Sequence, residues 1–145
     1  YSMEGVFLYS FGKRGTDEGE FNYPTSIALD REGNIYVVDT INARVEVFDS
    51  TGKFIRAFGS LGDGLGQFTR PKGIALDSLG NIYVVDAAFN NFQIFNPEGQ
   101  LLLFVGSLGQ QPGMFWLPSG ISIDSHGNIY VVDQVNKRVQ VFRLL

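Results

Sequence analysis

The chain has 145 residues, 44% of them hydrophobic and 18% charged, enough for one domain with a real core. Its formal net charge of −4 argues against a nucleic-acid binder, whose signature is a basic patch, and no apolar run approaches the roughly 18 residues of a membrane helix. The absence of cysteine removes disulfides and thiol chemistry and leaves the compartment open.

The segments read as strands, with no sustained helical period. Val-Phe-Leu-Tyr-Ser-Phe at 6–11, bracketed by Gly5 and Gly12, is the first. Ile27-Ala-Leu-Asp30 is a short apolar run that stops at the turn cluster Arg31-Glu-Gly33-Asn34. Ile35-Tyr-Val-Val38 follows, β-branched and aromatic, so the two runs form a hairpin. Arg44-Val-Glu-Val-Phe48 alternates polar and apolar, as a strand with one wet face does. After the turn Asp49-Ser-Thr-Gly52, a fourth strand runs over 53–58, and a long Gly-rich loop leads on to Pro71.

The heptapeptide Gly-Asn-Ile-Tyr-Val-Val-Asp then recurs, starting at Gly33, Gly80 and Gly127, so the unit repeats every 47 residues without insertion. Pro24, Pro71 and Pro118 keep the same step, as do Phe48, Phe95 and Phe142. A period in this range belongs to solenoids, propellers or arrays. The first two strands of each unit are apolar on both faces and must be covered on both; the outer two alternate. A four-stranded sheet with a sandwiched inner edge and a wet outer edge is a propeller blade. The predicted fold is therefore all-β, a β-propeller of four-stranded antiparallel blades, with a β-sandwich as the alternative. Its parts are a closing outer strand at 1–12 and repeats at 13–59, 60–106 and 107–145.

The spaced pattern Pro-x-(Gly)-Ile-Ala-x-Asp, Gly-Asn-Ile-Tyr-Val-Val-Asp, Asn-x-Arg-Val and Phe resembles the NHL repeat, at 24–59, 71–106 and 118–145. The resemblance implies a six-bladed propeller, usually a binding platform, with a minority of related metal-dependent lyases and lactone hydrolases. Such folds host many activities, so the motif specifies architecture and not function. Three blades form an open arc. The segment 5–12 aligns with 52–59 and 99–106, whereas the third repeat ends after its third strand. The expected resolution is a homodimer that closes one six-bladed ring, the leading strand of each copy completing the last blade of the other. A longer parent chain carrying the other blades is the competing arrangement.

Asp39, Asp86 and Asp133 recur in every unit, which suits a loop cap better than a catalytic group, with Arg44 and Arg138 as partners. Asp30, Asp77 and Asp124 close the innermost strands near a channel mouth, where a ring of carboxylates could hold Ca²⁺; the turn Asp-x-x-Gly is the competing explanation. Zinc lacks ligands, since the chain has one His and no Cys, and the family's metal-lyase reading is not carried over. His126 stands in a turn, and the Gly-rich loops lack the Lys-Ser/Thr of a phosphate-binding loop.

The informative positions break the repeat. The middle unit carries Phe89 and Asn91 where the others have Asn and Arg, and the loops before each Pro offer Tyr23, Arg70 and Trp116. Aromatic and Arg residues on variable loops of a rigid scaffold are common binding material. The expected function is a non-enzymatic binding or scaffolding module for a protein or small-molecule ligand, needing no cofactor. Its contact residues are Tyr23, Arg44, Arg70, Phe89, Trp116 and Arg138. The alternative is a divalent-cation-dependent hydrolase or lyase using the channel carboxylates.

Overall fold

In the computed structural model, which describes residues 4–145, eleven strands form three antiparallel sheets. The first sheet holds β1 (Pro24–Leu29), β2 (Ile35–Asp39), β3 (Arg44–Phe48) and β4 (Phe54–Phe58), paired in that order. The second holds β5 (Pro71–Leu76), β6 (Ile82–Asp86), β7 (Asn91–Phe95) and β8 (Leu101–Val105). The third has β9 (Pro118–Ile123), β10 (Asn128–Asp133) and β11 (Arg138–Arg143), with no fourth strand beside β11 among the described residues. These are the expected propeller blades. The innermost strand begins three residues earlier than the apolar run suggested, at Pro24, and ends at Leu29, one short of Asp30. Asp30 instead opens the turn, its carbonyl accepting the Gly33 N–H at 3.2 Å, with Gly33 at φ 85° where a side chain would be strained.

Hydrophobic clusters lie between successive blades. Val38, Val45 and Val47 of the first pack with Ile74, Ile82, Val84 and Phe95 of the second. Val85, Phe92 and Ile94 of the second pack with Ile129, Val131 and Phe115 around the third. Each fully buried Val, Ile or Phe contributes about 1.5–3 kcal/mol relative to exposure. The inner strands approach so closely that a Cβ on Gly73 would lie 2.5 Å from the Ser119 carbonyl oxygen.

Residues 1–3 of the expected closing strand lie outside the described residues. Over 4–13 no strand forms. A strand requires a ladder partner, and in this chain β3, the edge such a segment would resemble a neighbour of, is already taken by β4. The segment is seated all the same. Phe11 stacks on Phe48 with ring centroids 4.9 Å apart, and Phe58 of β4 stacks on Phe95 of the next blade at 5.0 Å. Likewise the Tyr9 hydroxyl donates to the Ser50 carbonyl as Arg56 donates to that of Pro97, 47 residues on. Residues 9–11 thus lie on the first blade as β4 lies on the second.

Candidate functional site

One end of the blades carries the turns after β2, β6 and β10 together with the long loops that lead into each innermost strand. The two are tied by backbone bonds, Thr40 N–H to the Tyr23 carbonyl, Ala87 N–H to that of Arg70 and Val135 N–H to that of Trp116. Beneath them lie Asp39, Asp86 and Asp133, all fully buried. Each takes the loop amide 17 residues upstream, from Asn22 at 2.7 Å, Thr69 at 2.8 Å and Trp116 at 2.8 Å. Burial pushes the Asp133 carboxyl up. The Trp116 N–H, the Asn136 amide and the Arg138 guanidinium outweigh it and hold the group below its ordinary value.

Arg44 and Arg138 complete the clamp. The Arg138 Nε donates to Asp133 Oδ2 at 2.7 Å, and its Nη2 donates to the Gln111 and Met114 carbonyls at 3.0 and 2.9 Å. Arg44 donates to the carbonyls of Thr16, Asp17 and Glu20 at 2.9, 2.9 and 2.7 Å and pairs with Glu46 at 2.6 Å. Both guanidiniums are turned onto the incoming loop and fix its position.

The other expected contact residues divide by exposure. Tyr23 is 65% exposed and Trp116 41%, Arg70 is exposed, and Phe89 is half-buried. Tyr23, Arg70 and Leu117 occupy the same place in consecutive blades, just before the innermost strand, so they stand around the central axis. Tyr23 and Leu117 sit at φ 71° and 52°, immediately before a proline. That region is unfavourable for a bulky residue and doubly so before Pro, at a cost of about 1–3 kcal/mol. The repeat pattern carried no signal for this strain.

The opposite end holds a recess of about 660 Å³, lined by Leu29, Asp30, Tyr36, Asp77, Leu79 and Asp124 among others. The three Asp side chains each serve their own turn. Asp30 Oδ1 accepts the Glu32 and Asn34 N–H groups at 2.9 and 2.8 Å, and Oδ2 accepts Asn34 Nδ2 at 2.8 Å. At Asp124 the Asn128 side chain and N–H, joined by the His126 N–H and the Tyr130 hydroxyl, outweigh desolvation and bring the pKa down to about 2. His126 is exposed in that turn. Among the described residues no three His, Cys, Asp or Glu side chains cluster as a metal site.

A family model described as a 6-bladed beta-propeller, DUF5128, matches residues 15–92, more than half of the chain. The chain belongs to this propeller family. The NHL-repeat model matches residues 115–142, which bears out the resemblance read from the repeats. Over 48 residues the chain is 40% identical to the B-box type zinc finger protein ncl-1 of Caenorhabditis elegans, covering 33% of this chain and 6% of that protein. It is also 40% identical over 48 residues to human NHL repeat-containing protein 3, covering 33% of this chain and 14% of the relative. The chain thus spans a small fraction of the curated relatives it matches. Among solved structures, a streptogramin B lyase superposes with TM-score 0.62 at 14% identity, over 83% of this chain and 40% of that one. A catalytically inactive virginiamycin B lyase from Staphylococcus aureus with quinupristin gives TM-score 0.62 at 13% identity, over 99% and 47%. At these identities the likeness is one of fold.

Proposed function

We propose that this chain is a non-enzymatic binding module that works as half of a six-bladed ring, the other half being a second copy. The observation that carries the reading is the pair of uncovered blade faces. Ile27 and Leu29 on the leading face are 61% and 63% exposed, and Val132, Val139 and Val141 on the trailing face are 43%, 59% and 56% exposed. Apolar faces of this kind are buried in working proteins or become aggregation sites.

The seating of residues 9–11 supplies the join. The segment packs on the first blade as a fourth strand of a preceding blade would, and β11 ends the third blade with no strand beside it among the described residues. Transferring the β3–β4 register by the repeat places Phe7 opposite Phe142, Tyr9 opposite Val141 and Phe11 opposite Val139 of the other copy. A two-fold axis then makes both seams at once. The ligand, a protein or a small molecule, binds on the loop face through Tyr23, Arg70, Phe89 and Trp116.

Light scattering tests the ring. A mass twice the 16.0 kDa of one chain is expected, and removal of residues 1–10 should abolish it. A soluble, cooperatively folded species of one-chain mass overturns the two-copy form; where further blades lie in one longer polypeptide, the seam closes within it and the mass is again that of a single chain.

A further inference from the structure

The three blades are not equivalent at the clamp. Where Arg44 and Arg138 reach across to the loop carbonyls, the middle blade has Asn91, too short to follow. Its buried Asp86 accepts the N–H groups of Thr69, Arg70, Ala88 and Phe89 and has no cationic partner among the described residues. The Asn91 Oδ1 is shielded from solvent and without a hydrogen-bond partner. Of the carbonyls equivalent to those Arg44 holds, that of Gln67 takes the Gln93 amide at 2.9 Å. A cleft of about 270 Å³ remains, lined by Asp63, Gly64, Phe89, Asn91, Gln93 and Phe104 among others.

The geometry points to this cleft as a receptor for the guanidinium of an arginine side chain on a partner protein. It deepens the binding reading given above, and it stands whether or not two copies close the ring. The first blade demonstrates the chemistry, since the same loop backbone there is satisfied by a guanidinium donating to three carbonyls. The middle blade keeps the acceptors, adds the Asp63 carboxylate at the rim and replaces the clamp Asn by Phe89. Phe89 and the 52%-exposed Phe104 offer aromatic surface on which a planar cation stacks. The volume falls below the roughly 300–1,000 Å³ of small-molecule sites, which favours a single side chain as the guest.

The experiment uses N-acetyl-arginine amide and N-acetyl-lysine amide as probes, followed by amide chemical shifts of the whole chain. Saturable shifts centred on Asp63, Phe89, Asn91 and Gln93 are expected with the arginine probe, at least about tenfold stronger than with lysine. Asn91→Arg should install the cation of the sister blades, raise the melting temperature and abolish the shifts. Asp63→Asn, on an exposed loop, should weaken them while leaving the fold intact. Equal binding of both probes, shifts elsewhere only, or undiminished binding by Asn91→Arg overturns the proposal. Light scattering on Asn91→Arg separates the two ideas, because an unchanged mass with lost arginine binding locates the effect in the cleft.

Discussion

Gly-Asn-Ile-Tyr-Val-Val-Asp occupies the same strand in the second and third blades and lives in two different environments. In β6, Tyr83 is 4% exposed and Val85 fully buried; in β10, Tyr130 is 38% and Val132 43% exposed. The local sequence is identical, so the difference comes wholly from the neighbour. Blade two has a blade on each side, and blade three has one. The exposed alternate residues of β10 and β11 form an apolar face on which no neighbour packs among the described residues. A repeat unit of this kind cannot bury its own hydrophobic surface, and stability comes from the interfaces between units.

The comparison can be broken most severely at the interior seam. Phe68 is fully buried against Phe95, beneath Gly59, and Phe68→Ala should cost about 3–5 kcal/mol in urea unfolding. Phe21, its half-buried counterpart on the free leading face, should cost clearly less in dilute protein. Equal losses would mean that the leading face is already covered.

Asp133→Asn ranks next. It strips the charge from a buried carboxylate that holds Arg138, Asn136 and the Trp116 amide, and about 2–3 kcal/mol should be lost. Because the folded carboxyl is held below its ordinary value, its contribution is fully present above about pH 4 and disappears as pH falls through the depressed value. The variant should therefore lose its disadvantage in acid. A deficit independent of pH would place the damage in packing.

The same strand offers a matched pair of truncations. Val85→Ala should cost about 2 kcal/mol at any concentration, whereas Val132→Ala should cost under about 1 kcal/mol in dilute protein. If two copies close the ring, Val132→Ala should also lower the concentration-dependent mass in light scattering. A loss equal to that of Val85→Ala in a one-chain species would contradict the exposed face.

Much of this was legible in the repeat. Strict 47-residue spacing and two-sided apolar inner strands sufficed for the blades, because each follows from local pattern. The wet face expected of the third strand is not there, since Glu46 of β3 and Gln93 of β7 are buried against the incoming loop, where they bond the Gly19 N–H and the Gln67 carbonyl. Register was visible too, as in the alignment of Phe11 with Phe58. Less legible was the destination of Arg44 and Arg138, whose guanidiniums turn inward onto carbonyls 24 to 28 residues upstream in sequence. Sequence shows that Asn91 breaks the pattern; only packing shows that the break leaves an unfilled acceptor and a cleft. The positive φ at Tyr23 and Leu117 was hidden for another reason, since neither residue type favours it.

A further expected effect, also small, concerns the one clamp position where blade one differs in charge, Glu46 against Gln93 and Gln140. Glu46 is fully buried, accepts the Gly19 N–H at 2.8 Å and faces Arg44. Burial pushes its carboxyl above the ordinary value, and the Gly19 N–H and the Arg44 charge offset this only in part. A folded value above the unfolded one means that the protonated form is the one folding favours. Its contribution is complete below the unfolded value near 4.3 and is lost as pH rises through the folded value. Glu46→Gln carries the neutral residue of the other two blades at every pH. Relative to the parent it should gain on the order of 1 kcal/mol between pH 4 and pH 7 in urea unfolding. The acid losses of Asp30, Asp124 and Asp133 are common to both proteins and cancel in that difference. If the difference instead moves in favour of the parent as pH rises, the Arg44–Glu46 pair outweighs burial, and blade one depends on its charge in a way the middle blade cannot.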